Sequence, residues 1–192
     1  MIITPVECDL SVAASDLVRS PGLHLSAIYN DLFQDLEPKR FTRGTLPDPL
    51  RLEAGLSMEL MLEEGIKRRL SADRPGEFFT EEGIAFSPDL LINNGVLRLG
   101  EIKLTWLSSR DVPRESGINV LPPKFDKYLV QMKGYCHALG TPYARLYVFF
   151  VNGDYTHPYS PELLSWDIEF TERELQENWE MLINHAKQKR ML

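Results

Sequence analysis

Residues 87–106 read SPDLLINNGVLRLGEIKLTW, and this stretch sets the fold class. Leu90, Leu91 and Ile92 form one apolar run, and residues 96–106 form a longer one; Asn93, Asn94 and Gly95 lie between them. Asn-Gly between two apolar runs is the strongest short-range signal for a β-hairpin. Side chains two apart on a strand share a face, so Glu101 and Lys103 project together while Ile102 and Leu104 point the other way. Pairing across the turn carries Asp89 to the same end. Two carboxylates and an ammonium group therefore converge at one end of a sheet.

Such a cluster has a chemical use. Two hard oxygen ligands can hold a divalent cation, which polarises a phosphodiester and acidifies water. A neighbouring lysine can orient that water or balance charge on the phosphate. The competing account is a Glu101–Lys103 surface pair on an edge strand, which would contribute little.

Upstream, residues 77–86 read as a strand or hairpin turning near Glu82 and Gly83. Asp48-Pro49 is a helix start, an N-cap acceptor followed by proline, and predicts a helix to about Leu70. Leu52, Leu56, Ile66 and Leu70 define its buried stripe, and Glu59 and Glu63 fall inside it. A carboxylate on a buried face needs a partner, either a metal or a lysine in the cleft. Gly55, one turn earlier, would admit a backbone or a phosphate closely. Leu25, Ile28, Leu32 and Leu36 predict an earlier helix, broken at Pro38, and residues 11–19 a short one before it. His24, just ahead of that helix, reads as a structural or capping residue.

Downstream, residues 107–123 form a long irregular stretch with Ser108, Ser109, Arg110 and Arg114, expected to overhang the cleft. A helix follows from about Lys124 to Leu139, closed by Gly140 and Pro142. Tyr128, Met132, Cys136 and Leu139 make its apolar stripe; Gln131 and Tyr135 line a polar flank, with Lys124 and Lys127 beside them. Residues 145–151, RLYVFFV, are the most strand-like run and should be central and buried. A turn at Asn152, Gly153 and Asp154 and an aromatic, proline-rich connection lead to a further strand over 164–170. Thr171 and Glu174 form a capping box for a last helix with Leu175, Trp179, Leu182 and Ala186 inward. The basic tail at 187–190 would touch a polyanion or simply be solvated.

The chain has 192 residues, 43% of them hydrophobic, which suits one domain with a core of its own. No apolar run approaches a membrane span, and the N-terminus lacks a signal peptide, so cytoplasm is the expected location. Two cysteines, Cys8 and Cys136, are too few for a disulfide framework or a tetracysteine site. The net charge of −7 argues against a generic nucleic-acid binder. Yet residues 98–145 hold eight Lys/Arg against four acids, a net of +4, which places a basic excess around the acidic cluster.

Pro88-Asp89, eleven residues, then Glu101-Ile102-Lys103 resembles the signature of the PD-(D/E)XK nuclease superfamily. Gln131-Met-Lys-Gly-Tyr135 resembles the QxxxY motif of its RecB-like branch, which includes the lambda-type exonucleases, and Gly55-Leu-Ser-Met-Glu59 resembles the upstream GxxxH/E element. These motifs occur in the expected order over roughly residues 50–170, and Gly22-Leu-His-Leu-Ser26 resembles phage and prophage members. The resemblance implies an α/β fold, restriction-endonuclease-like, with a mixed central sheet flanked by helices. It implies a single nuclease domain over 1–192, with a helical N-terminal extension to 45 and the nuclease core over 46–192. Asp89, Glu101 and Glu59, with the Ile102 carbonyl, would hold Mg²⁺ or Mn²⁺, and Lys103 would position the attacking water. Gln131, Tyr135, Lys124, Lys127, Ser108 and Arg110 would contact nucleic acid. Iron–sulfur relatives need four cysteines, so no cluster is expected.

The implied activity is metal-dependent DNA phosphodiester hydrolysis, exonucleolytic, in recombination, repair or phage DNA processing in a bacterial or phage-infected cell. Homo-oligomers and a recombination partner protein are compatible with it. A non-catalytic nucleic-acid-binding relative of the same fold and a nuclease acting on RNA are the alternatives.

Overall fold

The structure is a computed structural model that describes residues 20–41, 49–112, 121–151 and 161–192. The expected helix over 11–19, the Asp48 cap, Arg114, the turn at 152–154 and the connection as far as residue 160 lie outside the described residues.

The hairpin forms as its sequence implies. β4 (Leu90–Asn93) pairs antiparallel with β5 (Leu97–Thr105), Leu90 opposite Gly100 and Asn93 opposite Leu97. Gly95 sits in the connecting loop at φ +88°, where a side chain would be strained, and its amide donates to Asn93 Oδ1 at 3.3 Å. Outward from this hairpin, β1 (Ala72–Asp73) pairs with β4, β6 (Tyr143–Phe150) runs parallel to β5, and β7 (Glu162–Glu169) closes the other edge antiparallel to β6. The order β1-β4-β5-β6-β7 gives a mixed five-stranded sheet. β2 (Phe78–Phe79) and β3 (Ala85–Phe86) form the small hairpin expected over 77–86.

Helices cover both faces. α1 (Leu25–Leu36), α3 (Asp126–Leu139) and α4 (Glu172–Gln188) share a large core with Leu99, Ala144, Leu146, Val148 and Phe150 of the sheet. α2 (Pro49–Lys67) covers the opposite face, where Ile66 packs in a smaller cluster with Ala72, Leu90, Ile92, Ile102 and Tyr147. β5 thus sends Leu99 into one core and Ile102 into the other. Glu101, two residues from Leu99, projects to the α1–α3 side.

Several local readings hold. Thr171 Oγ1 accepts from the Glu174 amide at 3.2 Å while the Glu174 carboxylate accepts from the Thr171 amide at 2.9 Å, completing the capping box. Leu175, Trp179, Leu182 and Ala186 are all buried. Gly140 ends α3 in the left-handed region at φ +66°.

Three readings need correction. α2 stops at Lys67, three residues short of the expected Leu70, and Leu52 is 42% exposed rather than part of a buried stripe. The small cluster lies under the C-terminal half of α2, whereas Leu52 and Leu56 border an open cleft. α3 is preceded by a 3-10 turn over Pro123–Phe125, and Gln131 and Tyr135 are buried alongside Met132 and Cys136 instead of lying on a polar flank. The stretch after β5 is not wholly irregular: Ser109–Asp111 form a 3-10 turn and Val112 is buried.

Candidate active site

Beyond the last β4–β5 pair the backbone ladder ends, and a side chain takes it over. Asp89 Oδ2 accepts the Ile102 amide at 2.7 Å, which fixes the first carboxylate against β5. One residue back along β5, Glu101 is fully buried. Its Oε1 accepts from Gln131 Nε2 at 2.5 Å and from the Lys103 ammonium, while its Oε2 is buried with no hydrogen-bond partner among the described residues. Glu59 approaches from α2, half-buried, with Arg74 Nη2 3.6 Å from its Oε1.

The electrostatics tie these groups together. Burial pushes Glu101 up to about 8, and the charge of Asp89 adds to the effect. Burial likewise pushes Glu59 up to about 7, again with help from Asp89. For Lys103 burial alone would favour the neutral amine, but Glu101 and Asp89 outweigh it and hold the ammonium well above its usual value. Lys103 is therefore a cation and a donor, not a base.

Glu59, Asp89, Ile102, Lys103, Gln131 and Tyr135 line one cleft of about 610 Å³, with Glu101 beneath its floor. Gly55 lines it too, and a Cβ there would meet nothing within 4 Å, so this part of the wall is open. Tyr135 packs against Phe86 with ring centroids 5.5 Å apart, and burial raises its hydroxyl well above the usual range. His24 caps α1 without a side-chain cap bond; its ring contacts the Ser20 carbonyl at 2.9 Å and lies 3.6 Å from Glu77.

The other glutamate of the α2 face has a different fate. Glu63 is 4% exposed, with Lys67 on one oxygen and Arg74 Nη1 on the other at 3.0 Å. Both of its oxygens are therefore taken by side-chain cations, Lys67 and Arg74. Sequence reading asked for a cation opposite this face but missed Arg74, which follows β1 in a stretch without periodicity.

A second cleft of about 320 Å³ adjoins the first, sharing Tyr29, Lys103 and Gln131. Arg40, Lys124 and Lys127 line it against Phe41 and Tyr128. Lys127 lies over the Phe41 ring at 4.6 Å, and burial, then the charges of Lys103 and Arg40, lower its pKa. Arg40 had no sequence signal beyond its place after Pro38. Ser108 and Arg110 border neither cleft; Ser108 Oγ accepts the Arg110 amide at 3.3 Å and caps the 3-10 turn.

The basic excess is also smaller in practice than in sequence. Arg98 and Arg145 pair with Asp167, Lys133 with Glu174 and Lys103 with Glu101. Lys124 and Lys127 remain beside the clefts. Elsewhere Asp31, Asp35 and His185 converge between α1 and α4, but Lys189 already sits 2.6 Å from Asp35 and His185 is 2.8 Å from Asp31. That cluster joins two helices and lies outside both clefts. No described helix is long and apolar enough to cross a membrane.

No protein-family model and no curated protein sequence matches the chain. Solved structures similar in fold include LHK-Exo, an alkaline exonuclease from Laribacter hongkongensis (TM-score 0.50, 14% identity, 88% of this chain and 89% of that one). The same protein in complex with dAMP matches at 12% identity and a TM-score of 0.50. A phage-related exonuclease from Haemophilus somnus 129PT matches at 0.51 and 16% identity, over 85% of this chain and 79% of that one. SSO0001 matches at 0.51 and 14% identity, over 88% and 79%. The chain thus shares its fold, a mixed sheet flanked by helices, with solved exonuclease structures.

Proposed function

We propose that this chain is a divalent-metal-dependent deoxyribonuclease that hydrolyses phosphodiester bonds as an exonuclease. One observation carries the reading. Three carboxylates, Glu59, Asp89 and Glu101, share one field with Lys103, and one oxygen of Glu101 is buried with no hydrogen-bond partner among the described residues. Burying charge without a partner is costly. The donor set fits a hard divalent cation, which would satisfy the bare oxygen and offset the burial and, after it, the repulsion that lift both glutamates. Glu59, Asp89 and Glu101 would hold it, with the Ile102 carbonyl added by family resemblance. Bound there, Mg²⁺ or Mn²⁺ supplies positive charge against the phosphoryl oxygens and makes water a stronger nucleophile.

The chain's own residues do the rest. Asp89 is held on the Ile102 amide, and Gln131 holds Glu101, so both carboxylates are fixed before substrate arrives. Lys103, kept cationic, donates to the attacking water or to a phosphoryl oxygen. Water adds to phosphorus and gives up one proton to bulk solvent, the P–O bond to the adjoining nucleoside breaks, and the leaving oxygen takes up a proton from solvent. Lys124 and Lys127 would meet the flanking phosphates.

End-labelled linear, circular and single-stranded DNA and RNA, incubated with Mg²⁺ or Mn²⁺, test the proposal. Linear DNA should be degraded from its ends and circular DNA spared, with activity lost in excess chelator. Lys103→Ala should cut turnover by about 10²-fold or more, the scale of one lost oxyanion donor, and leave DNA affinity in Ca²⁺ close to wild type. Full cleavage in chelator, or by Lys103→Ala, would rule the mechanism out.

A further inference from the structure

The cleft contains a second cation that the family motifs do not include. Arg74 comes from the α2–β1 side of the cleft, while Lys103 comes from β5. Their settings differ. The Lys103 ammonium is engaged by Glu101. Among the described residues Arg74 makes one hydrogen bond, Nη1 to Glu63 Oε2 at 3.0 Å, and its Nη2 lies 3.6 Å from Glu59 Oε1, too far to hydrogen-bond. The side chain is 39% exposed.

Glu63 explains this arrangement. It is buried, Lys67 occupies its other oxygen, and so it anchors one edge of the guanidinium while carrying no free charge into the cleft. A guanidinium has five donors in a planar fork that matches two oxygens of a phosphate. Anchored along one edge, Arg74 lines the cleft with its Nη2 3.6 Å from Glu59, close enough for an ion pair but not for a hydrogen bond, and little side-chain freedom remains to be lost on binding. The cleft also needs positive charge to admit a polyanion, because Glu59, Glu77 and Asp89 line it.

We infer that Arg74 is a phosphate-binding residue of this cleft, a guanidinium aimed by Glu63 at the backbone of the nucleic-acid strand. The inference rests on the nuclease reading and adds a contact that it lacks.

The test is equilibrium binding of a fluorescent DNA duplex in Ca²⁺ across a salt series, for wild type, Arg74→Ala and Arg74→Lys, with thermal midpoints measured alongside. Arg74→Ala should weaken binding about ten- to hundred-fold, the scale of one charge-assisted hydrogen bond. It should also flatten the slope of log affinity against log salt by about one unit, the signature of one lost phosphate contact. Arg74→Lys keeps a cation beside Glu63, so the fold survives even if Arg74→Ala does not. It should keep the salt slope but bind more weakly, since the fork is gone. Wild-type affinity in a folded variant overturns the inference, and so does weaker binding by Arg74→Ala with an unchanged slope. Failure of the wild type to cleave DNA with any metal would instead count against the nuclease reading itself.

Discussion

Glu101 shows how much one residue can reveal about an absent partner. Its carboxyl group is buried beside Asp89, so without a cation it favours the protonated form, with its pKa pushed up to about 8 and that of Glu59 to about 7. Both lie above the ordinary value of 4.5, so the folded protein holds protons that the unfolded chain releases. Their stabilising contribution is complete below the unfolded value and is lost as pH rises through 7 and 8. Glu174 and Asp167 are held below their usual values and stay ionised over this window, while His137, whose pKa burial lowers, opposes the fall in its lower part but does not cancel two glutamates. In excess chelator the thermal midpoint should therefore fall between pH 5 and pH 8, and added Mg²⁺ should raise it more at pH 8 than at pH 5. A midpoint that climbs with pH in chelator, or a metal effect equal at both pH values, would contradict this. At this scale Asp89, Glu101 and Lys103 were legible because a two-residue period and one turn bring them together. Gln131 was marked by its motif but its hold on Glu101 was not, and Arg74 was missed altogether, since each meets its carboxylate through a tertiary contact that no local pattern encodes.

The element that holds the site is the hairpin, and it depends on one glycine. A Cβ on Gly100 would come within 2.9 Å of Leu90 Cβ and 3.3 Å of Ile92 Cδ1. Gly100→Ala should push β4 away from β5, which costs about 1–3 kcal/mol as overpacking and shifts Asp89 relative to the Ile102 amide. Calorimetry and a cleavage assay should show both losses. Gly55→Ala, in open space on α2, should leave the fold intact or strengthen it by about 0.5–1 kcal/mol. Equal stability of Gly100→Ala and wild type would show that β4 yields without consequence. The hairpin, α4 with its capping box and the α3 stop were readable because each carries its own signal in a few residues. The exposed half of α2 was not: periodicity marks which side of a helix is apolar, not how much of its length has a sheet beneath it.

Across the whole molecule, the mixed sheet with helices on both faces follows from strand-like runs on either side of the α3 stretch. The unequal size of the two cores does not, because it depends on where each helix lands. α1 alone buries Leu25, Ile28, Tyr29, Leu32 and Phe33, whereas Ile66 is the one buried apolar residue of α2 among those described. The consequence is a difference in local stability. Elements with little buried apolar surface open at lower free energy than the global fold. Native-state hydrogen exchange should therefore release the amides of α2 well before those of α3 or β5. Because Glu59 rides on the loose helix while Asp89 and Glu101 belong to the firm sheet, a divalent cation held by all three would fasten one to the other. Adding Ca²⁺ should slow exchange in α2 far more than in α3; identical protection in both helices, with or without the ion, would show that they open as one unit.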